Sequence, residues 1–311
     1  MNNLSKLFSK SQNDNKNLLF RIIRRACSGW MPDKLYLSML YYAAIGKRLH
    51  LKHPRTYTEK LQWLKLYDHN PLYTTMVDKY AVKQYVADII GDNYVIPTIG
   101  VWERPEDIDF MMLPNQFVLK TTFGGGGNEI VICRDKLSLD IDKAVSHMKR
   151  YMDQDMYKTS REWPYKNVSH RIIAEKYMEE PGVSSLTDYK VMCFNGKVKL
   201  IELHLGRYTD DHTQDFYDRD WNRIPIAQGS YKTVSSKDVR CPAKFDEMIR
   251  LSEVLAMNIP HVRVDWYIIN ERLYFGELTF FDASGFDPFI PDEYNYILGD
   301  WIELPLNRKQ Y

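Results

Sequence analysis

Asp265 and Glu277 sit in the stretch His261–Phe281, HVRVDWYIINERLYFGELTFF. β-branched and aromatic residues dominate both arms, which predicts two strands joined by a three-residue turn at Asn270-Glu271-Arg272. In that register Ile269 pairs with Leu273, Asp265 faces Glu277 and Arg263 faces Thr279, while Val264, Trp266, Gly276 and Leu278 point to the other side. Two carboxylates opposed across a ladder repel and weaken the sheet. A divalent cation held between them by oxygen ligands reverses that sign. The bland alternative is an exposed hairpin edge with unrelated charges, and two acids alone do not decide the matter.

Three further stretches offer something for such a cation to hold. In FVLKTTFGGGGNEIVI a strand carrying Lys120 runs into Gly124, Gly125, Gly126 and Gly127. Consecutive glycines leave backbone N–H groups free to face a phosphate at a cost in chain entropy, and Lys120 adds a point charge. No Gly-Lys-Ser/Thr follows, so this is not a Walker loop, and a plain surface turn is the alternative. Glu175-Lys176-Tyr177-Met178 ends an apolar strand, where backbone groups and an acid can meet an adenine edge; such pairs are also common on exposed strand ends. Asp188 and Lys190 share one face of a strand, so that an acceptor and a cation can reach one ligand. Standing alone, they are a solvated face of alternating charge.

The elements that must position these groups alternate in kind. From 16 to about 90 the pattern is helical: Pro32 opens KLYLSMLYYAAIG, Thr56 and Glu59 form a capping box before EKLQWLKLYD, and a further helix spans about Leu72–Ile90. After Tyr94 come short apolar runs of strand length, VIPTIGVW, FVLKTT and EIVIC, then a helix in DKAVSHMKRYM and a strand in RIIAEKYM. DYKVMCF and KVKLIELHL flank Asn195-Gly196, a strong hairpin signal. Residues 206–234 are too polar and irregular for regular elements and long enough to suggest function. A helix follows at 243–257. Helices and mostly antiparallel strands in mixed order predict an α+β fold rather than a doubly wound parallel sheet.

Composition bounds the rest. The 311 residues hold 42 Lys and Arg against 41 Asp and Glu, which argues against non-specific binding of nucleic acid. Cys27, Cys133, Cys193 and Cys241 form no CxxC pair and read as buried thiols of a reducing compartment. No run approaches the length of a membrane span and no signal-peptide core is present, so the expected location is the cytoplasm. Residues 16–28 mix Lys and Arg with Leu, Phe and Ile. They carry a second expectation, peripheral contact with the inner face of the membrane, against the plainer one of a helix packed on its own domain.

Phosphate loop, adenine strand, cationic strand and metal-carboxylate hairpin, in that order, resemble the ATP-grasp superfamily. Within it the chain looks like the TupA-like, teichuronopeptide-biosynthesis branch, whose members are often labelled glycosyltransferases. The carrying motifs are DKYAVKQYV (78–86), VLKTTFGGGG (118–127), AEKYMEEPG (174–182), DYKVMCFNG (188–196) and VRVDWY…LYFGELTFFDASG (262–285). The resemblance implies a helical N-terminal extension over 1–75 with a disordered start, then an ATP-grasp domain over 76–311. Its first lobe, about 76–174, and second lobe, about 175–311, clasp Mg-ATP. It implies that Lys79 and Lys120 bind phosphate under the loop Gly124–Gly127, and that Glu175, Lys176 and the backbone of Met178 form the adenine hinge. It makes Asp188 a ribose ligand, Lys190 a γ-phosphate contact, Arg263 a group stabilising transfer, and Asp265 and Glu277 magnesium ligands. Thr279 stands where many members place Asn, and the usual α/β domain ahead of the core is missing or replaced by helices.

The chemistry so implied is phosphorylation of a carboxylate by ATP with Mg2+, followed by attack of an amine on the acyl phosphate. The expected partners are a sugar acid, or a nucleotide- or lipid-linked saccharide, and an amino acid or other amine. A metal-dependent glycosyltransferase using Asp218-Arg219-Asp220 is the competing reading, and an ATP-grasp kinase a third. Arg207, Tyr208, Arg219 and Trp221, from the 206–234 stretch, are the candidates for acceptor recognition: the arginines by pairing with a carboxylate, the aromatics by stacking on sugar rings. An ordinary surface excursion is the alternative.

Overall fold

Asn195 and Gly196 both take positive φ, 49° and 78°, the backbone of a type I′ turn. They join β5 (Asp188–Phe194) to β6 (Lys197–Leu205), two of the longest strands in the molecule. A computed structural model describes residues 18–125, 127–180, 182–183, 185–206, 212–229 and 239–305. The polar start, Gly126, Arg207 and Tyr208 lie outside the described residues.

Two antiparallel sheets result. The first, in order β1-β4-β2-β3, is built from β1 (Thr98–Trp102), β2 (Phe117–Thr121), β3 (Ile130–Cys133) and β4 (Ile172–Lys176). The second runs β11-β10-β5-β6-β7-β8, adding β7 (Thr213–Tyr217), β8 (Arg223–Ile224), β10 (His261–Ile269) and β11 (Arg272–Thr279). A small pair joins β9 (Ala227–Gln228) to β12 (Phe289–Ile290). The α+β expectation holds. The stretch 206–234 is less irregular than its composition implies, because β7, β8 and β9 lie within it.

The helices are α1 (residues 18–27), α2 (Asp33–Ile45), α3 (Tyr57–Tyr67), α4 (Leu72–Val77), α5 (Ala81–Ile90), α6 (Ile141–Met152), α7 (Met156–Ser160), α8 (Phe245–Leu255) and α9 (Glu293–Trp301). The capping box of α3 forms as its sequence predicts, with Thr56 and Glu59 each accepting the other's backbone N–H. The single helix expected over Leu72–Ile90 is instead two. Asp78 breaks it by turning its carboxylate onto the N–H groups of Tyr80 (2.9 Å) and Ala81 (3.2 Å), a local bond that competes with helix continuation. The break sets Lys79 in a short connection, its N–H bonded to Thr122 O at 2.8 Å beside the glycine loop.

One face of the second sheet packs under α8. Trp266 is fully buried and its indole donates to Ser252 Oγ at 2.8 Å. Val191, Cys193, Val264 and Leu278 are also buried in this core, each aliphatic side chain contributing roughly 1.5–3 kcal/mol. Of the four thiols, only Cys133 and Cys193 are buried; Cys27 is half-buried and Cys241 exposed, which corrects the expectation of four buried cysteines.

The β10–β11 turn also departs from expectation. Ile269 pairs with Arg272, and the turn is Asn270-Glu271 alone, both at positive φ. The outer pairing Arg263–Thr279 is as predicted, because a bulge between Val264 and Trp266 on one strand and Phe275 and Leu278 on the other takes up one residue. Side-chain burial requires it. Leu273 and Phe275 go into the core, as do Leu278 and Phe280, so the buried positions of β11 slip phase between 275 and 278. Gly276 sits in that slip, where a Cβ would lie 3.1 Å from both Asp265 O and the Tyr267 ring.

Candidate active site

Lys190 lies on the sheet face away from α8, between Glu202 on β6 and Asp265 on β10. All three are at least nine-tenths buried. Lys190 Nζ donates to Asp265 Oδ2 at 2.7 Å. Arg263 grips the same carboxylate with two prongs, Nε to Oδ1 at 2.7 Å and Nη2 to Oδ2 at 2.8 Å. Its remaining nitrogen donates to Asp282, and Nη2 also reaches Thr279 Oγ1 at 3.3 Å and Glu277 Oε1 at 3.5 Å. Thr279 in turn donates to Glu277 Oε1 at 3.1 Å.

These contacts fix the charges. Burial alone would raise the Asp265 carboxyl, but Arg263 and Lys190 outweigh it and hold it far below the usual carboxylate range. Burial would likewise lower Lys190, reinforced by Arg263, yet Asp265, Asp188 and Glu202 carry it above its ordinary value. Arg263, Lys190 and Asp265 therefore stay ionised within a buried sheet face, and paired geometry makes that tolerable, whereas burial raises the Asp282 carboxyl. Asp265 and Glu277 are not directly opposed. Asp265 faces the bulge, and both acids nonetheless line one cleft with Tyr267, Phe275 and Gly276.

Across that cleft stand Lys79, Lys83, Lys120, Gly125, Gly127, Glu129 and Glu175. β2 and β4 place Lys120 and Glu175, and their charged ends meet at 2.5 Å; Lys83 from α5 reaches the other oxygen of Glu175, also at 2.5 Å. Burial pushes the Glu175 carboxyl up, but Lys120 and Lys83 bring it down to about 2. Lys79 donates to Gly124 O at 2.7 Å and comes within 3.8 Å of Glu129. Gly124 and Gly127 hold φ of 89° and 78°, which glycine adopts without strain.

The structure thus brings Lys79, Lys120, Glu175, Asp265 and Glu277 onto one cleft, with Lys190, Arg263 and Thr279 bonded behind it. Lys176 is exposed and Met178 half-buried just beyond β4, and Asp188 begins β5 next to Lys190. Sequence reasoning missed Lys83, Glu129, Glu202 and Asp282. Lys83 was accessible in principle, since it follows Lys79 at the spacing that stacks side chains on one helical face. Glu202 faces Lys190 because a bulge at Met192–Cys193 shifts the register by one; the regular two-residue hairpin would pair Lys190 with Ile201, so the sequence pattern alone does not give this partner.

Arg219 and Trp221 are not brought to the cleft. Arg219 pairs with Glu253 of α8, on the far side of the sheet from Lys190, and Trp221 stacks on Tyr217 at 4.4 Å and meets Phe245 edge-on. One face of the Trp221 ring is covered by the protein's own tyrosine, and neither residue lines the cleft. The Asp218-Arg219-Asp220 trio is a turn. Asp218 accepts the N–H groups of Asp220 (2.9 Å) and Asn222 (2.8 Å) and the Asn222 side-chain amide (3.0 Å), so both its oxygens are engaged in chain reversal.

A family model described as TupA-like ATPgrasp matches residues 59–303. Solved structures similar to this chain include D-alanine–D-alanine ligase from Bacillus anthracis, at 15% identity over 73% of this chain and 66% of that one, with a TM-score of 0.41. The D-alanine–D-alanine ligase of Helicobacter pylori is 11% identical over 79% and 69%, with a TM-score of 0.44. A RimK-domain ATP-grasp protein from Sphaerobacter thermophilus is 12% identical over 74% and 69%, with a TM-score of 0.40. The chain spans between about half and just over two thirds of the length of such structures, from 53% to 69%. No curated protein matches.

Proposed function

The chain belongs to the TupA-like ATP-grasp family, a class of ligases that form carbon–nitrogen bonds using ATP with Mg2+, and we propose that it is a carboxylate–amine ligase working through an acyl phosphate. The observation that carries this reading is the buried Lys190–Asp265–Arg263 cluster opening on a cleft that also holds Lys79, Lys83, Lys120 and the glycine loop. Cations fixed at one end and lysines with a glycine-rich loop at the other suit a triphosphate whose terminal group is transferred.

In this reading Lys79, Lys83 and Lys120 hold phosphate oxygens, and Gly124–Gly127 close over them. Glu175, Lys176 and the Met178 backbone receive the adenine, and Asp188 the ribose. Asp265, Glu277 and the Thr279 hydroxyl are hard oxygen donors beside the cleft. They fit Mg2+, which characteristically takes one or two carboxylates and completes its shell with water and substrate phosphates. When bound, that ion neutralises charge gathering on the transferred phosphoryl group. A substrate carboxylate oxygen attacks the γ-phosphorus while the bond to the β-phosphate oxygen breaks and ADP leaves. Arg263 and Lys190, bonded to Asp265 behind the cleft, supply positive charge next to the oxygens on which charge spreads. An amine nitrogen then attacks the acyl carbon, phosphate departs with the C–O bond pair, and the amine gives up its proton. Excluding water protects the acyl phosphate, a task that suits the glycine loop.

The family resemblance supports a sugar acid, free or carried on a nucleotide or lipid, as the carboxylate, and an amino acid or similar amine as the nucleophile, in the assembly of a surface polysaccharide. Purified protein given Mg-ATP, a uronic acid and an amino acid is expected to release ADP and phosphate; turnover without ADP would refute the ligase reading. Mg-ADP should also raise the melting temperature, whereas stabilisation by a UDP-sugar alone would favour a glycosyltransferase.

A further inference from the structure

The chain's near-zero net charge conceals a division. Residues 1–58 carry eleven Lys and Arg against two Asp, whereas residues 59–311 carry 31 Lys and Arg against 39 Asp and Glu. The basic part lies ahead of the family-matched region. Its first described helix, α1, is apolar on two sides. Phe20 and Ile23 turn inward, Phe20 meeting Phe286 edge-on at 5.3 Å, and anchor the helix to the rest of the chain. At 100° per residue Leu18, Ile22 and Arg25 lie on the opposite side, flanked by Leu19 and Arg21. Leu18 is 48% and Ile22 52% exposed. Trp30, 72% exposed, is fixed against the last turn of α1 by a 2.9 Å bond from its indole N–H to Ala26 O.

Among the described residues the inward face of α1 is packed, and its second apolar face is left exposed. Leucine, isoleucine and tryptophan interleaved with arginine are what a lipid surface takes: apolar groups enter the headgroup boundary, indole sits at that boundary, and arginines meet anionic headgroups. Nucleic acid would use the charge and leave the aliphatic groups in water. We propose that the outward face of α1, with Trp30, docks the protein on an anionic lipid bilayer. The docking stands independently of the reaction assigned to the cleft, and it would bring that cleft to acceptors carried on lipid.

The test is co-sedimentation of the full chain with vesicles of phosphatidylcholine, with and without phosphatidylglycerol. The protein is expected to pellet with the anionic vesicles, weakly or not at all with the neutral ones, and to come off as salt is raised. Arg21→Gln with Arg25→Gln should weaken binding about thirtyfold, at roughly fivefold per charge near the surface. Ile22→Gln with Trp30→Ser should weaken it at least about tenfold. Both double variants should melt with the wild type, since these side chains are exposed. Failure to bind anionic vesicles, equal binding to neutral ones, or undiminished binding by either variant overturns the proposal. Self-association without vesicle binding would give the face to a second copy of the chain and overturns it equally.

Discussion

The two sheets treat charge in opposite ways. On the first sheet, Lys120 and Lys83 converge on Glu175 from side chains that are 23% and 12% exposed, so the lysines keep access to water and can exchange one anion for another. On the second, Arg263 and Asp265 make several bonds each and Lys190 is bonded to Asp265, in side chains no more than 7% exposed. The first arrangement can let go; the second is preorganised. A nucleotide-using enzyme benefits from both, since phosphate must enter and leave on one side while charge stabilisation on the other must not reorganise during reaction.

The contrast can be broken most sharply at Arg263. Arg263→Met leaves Asp265 and Asp282 buried without their guanidinium and is expected to cost about 3–5 kcal/mol of stability, read from urea denaturation. A loss below about 1 kcal/mol, the scale of an exposed pair, would remove the claim that this sheet is rigidly charged.

A second measurement uses pH. His261 opens β10, bonded to Tyr57 Oη at 3.0 Å and to Cys193 O at 3.0 Å, and burial lowers its pKa from 6.5 to about 3. The unfolded chain therefore binds the extra proton between those values, so stability is complete above pH 6.5 and falls toward pH 3. The slope should approach about 1.4 kcal/mol per pH unit, and His261→Gln should flatten it. An unchanged slope in that variant would assign the pH dependence elsewhere.

The smallest effect belongs to the first sheet. Glu175→Gln should cost about 1–2 kcal/mol, because two partly exposed lysines find water when the carboxylate goes. A loss as large as that of Arg263→Met would erase the distinction between the sheets.

The parts most legible in the sequence are those set by local chemistry. The Thr56–Glu59 cap, the Asn195-Gly196 turn and the strand carrying Lys120 each depend on a few neighbouring residues, and each formed as read. Lys79, Lys120, Glu175 and the glycine loop line one cleft, a grouping that the family resemblance implied. What escaped depends on tertiary choice. Asp78 had to prefer two backbone N–H groups to a helical turn, and it also holds Arg171 at 2.7 Å, a partner 93 residues away. Asp282 clamps Arg263 from a turn whose Ala283 and Ser284 take positive φ, which no propensity predicts. Trp221 stacks on Tyr217 and Arg219 pairs with Glu253, contacts that the composition of the 206–234 stretch does not foretell.

The hairpin of β10 and β11 holds one surplus residue. A three-residue turn without a bulge and a two-residue turn with one give the same pairing of Arg263 with Thr279. The pairing of Arg263 with Thr279 is thus indifferent to where the extra residue is stored. Deleting Gly276 would remove the bulge and leave a regular two-residue hairpin in which Glu277 opposes Asp265 and Arg263 still meets Thr279, and an insertion at the turn to offset that deletion would also keep the charged face in step. The surplus residue therefore sets how the two acids stand to one another: where it is stored decides whether they meet across the ladder or beside a bulge.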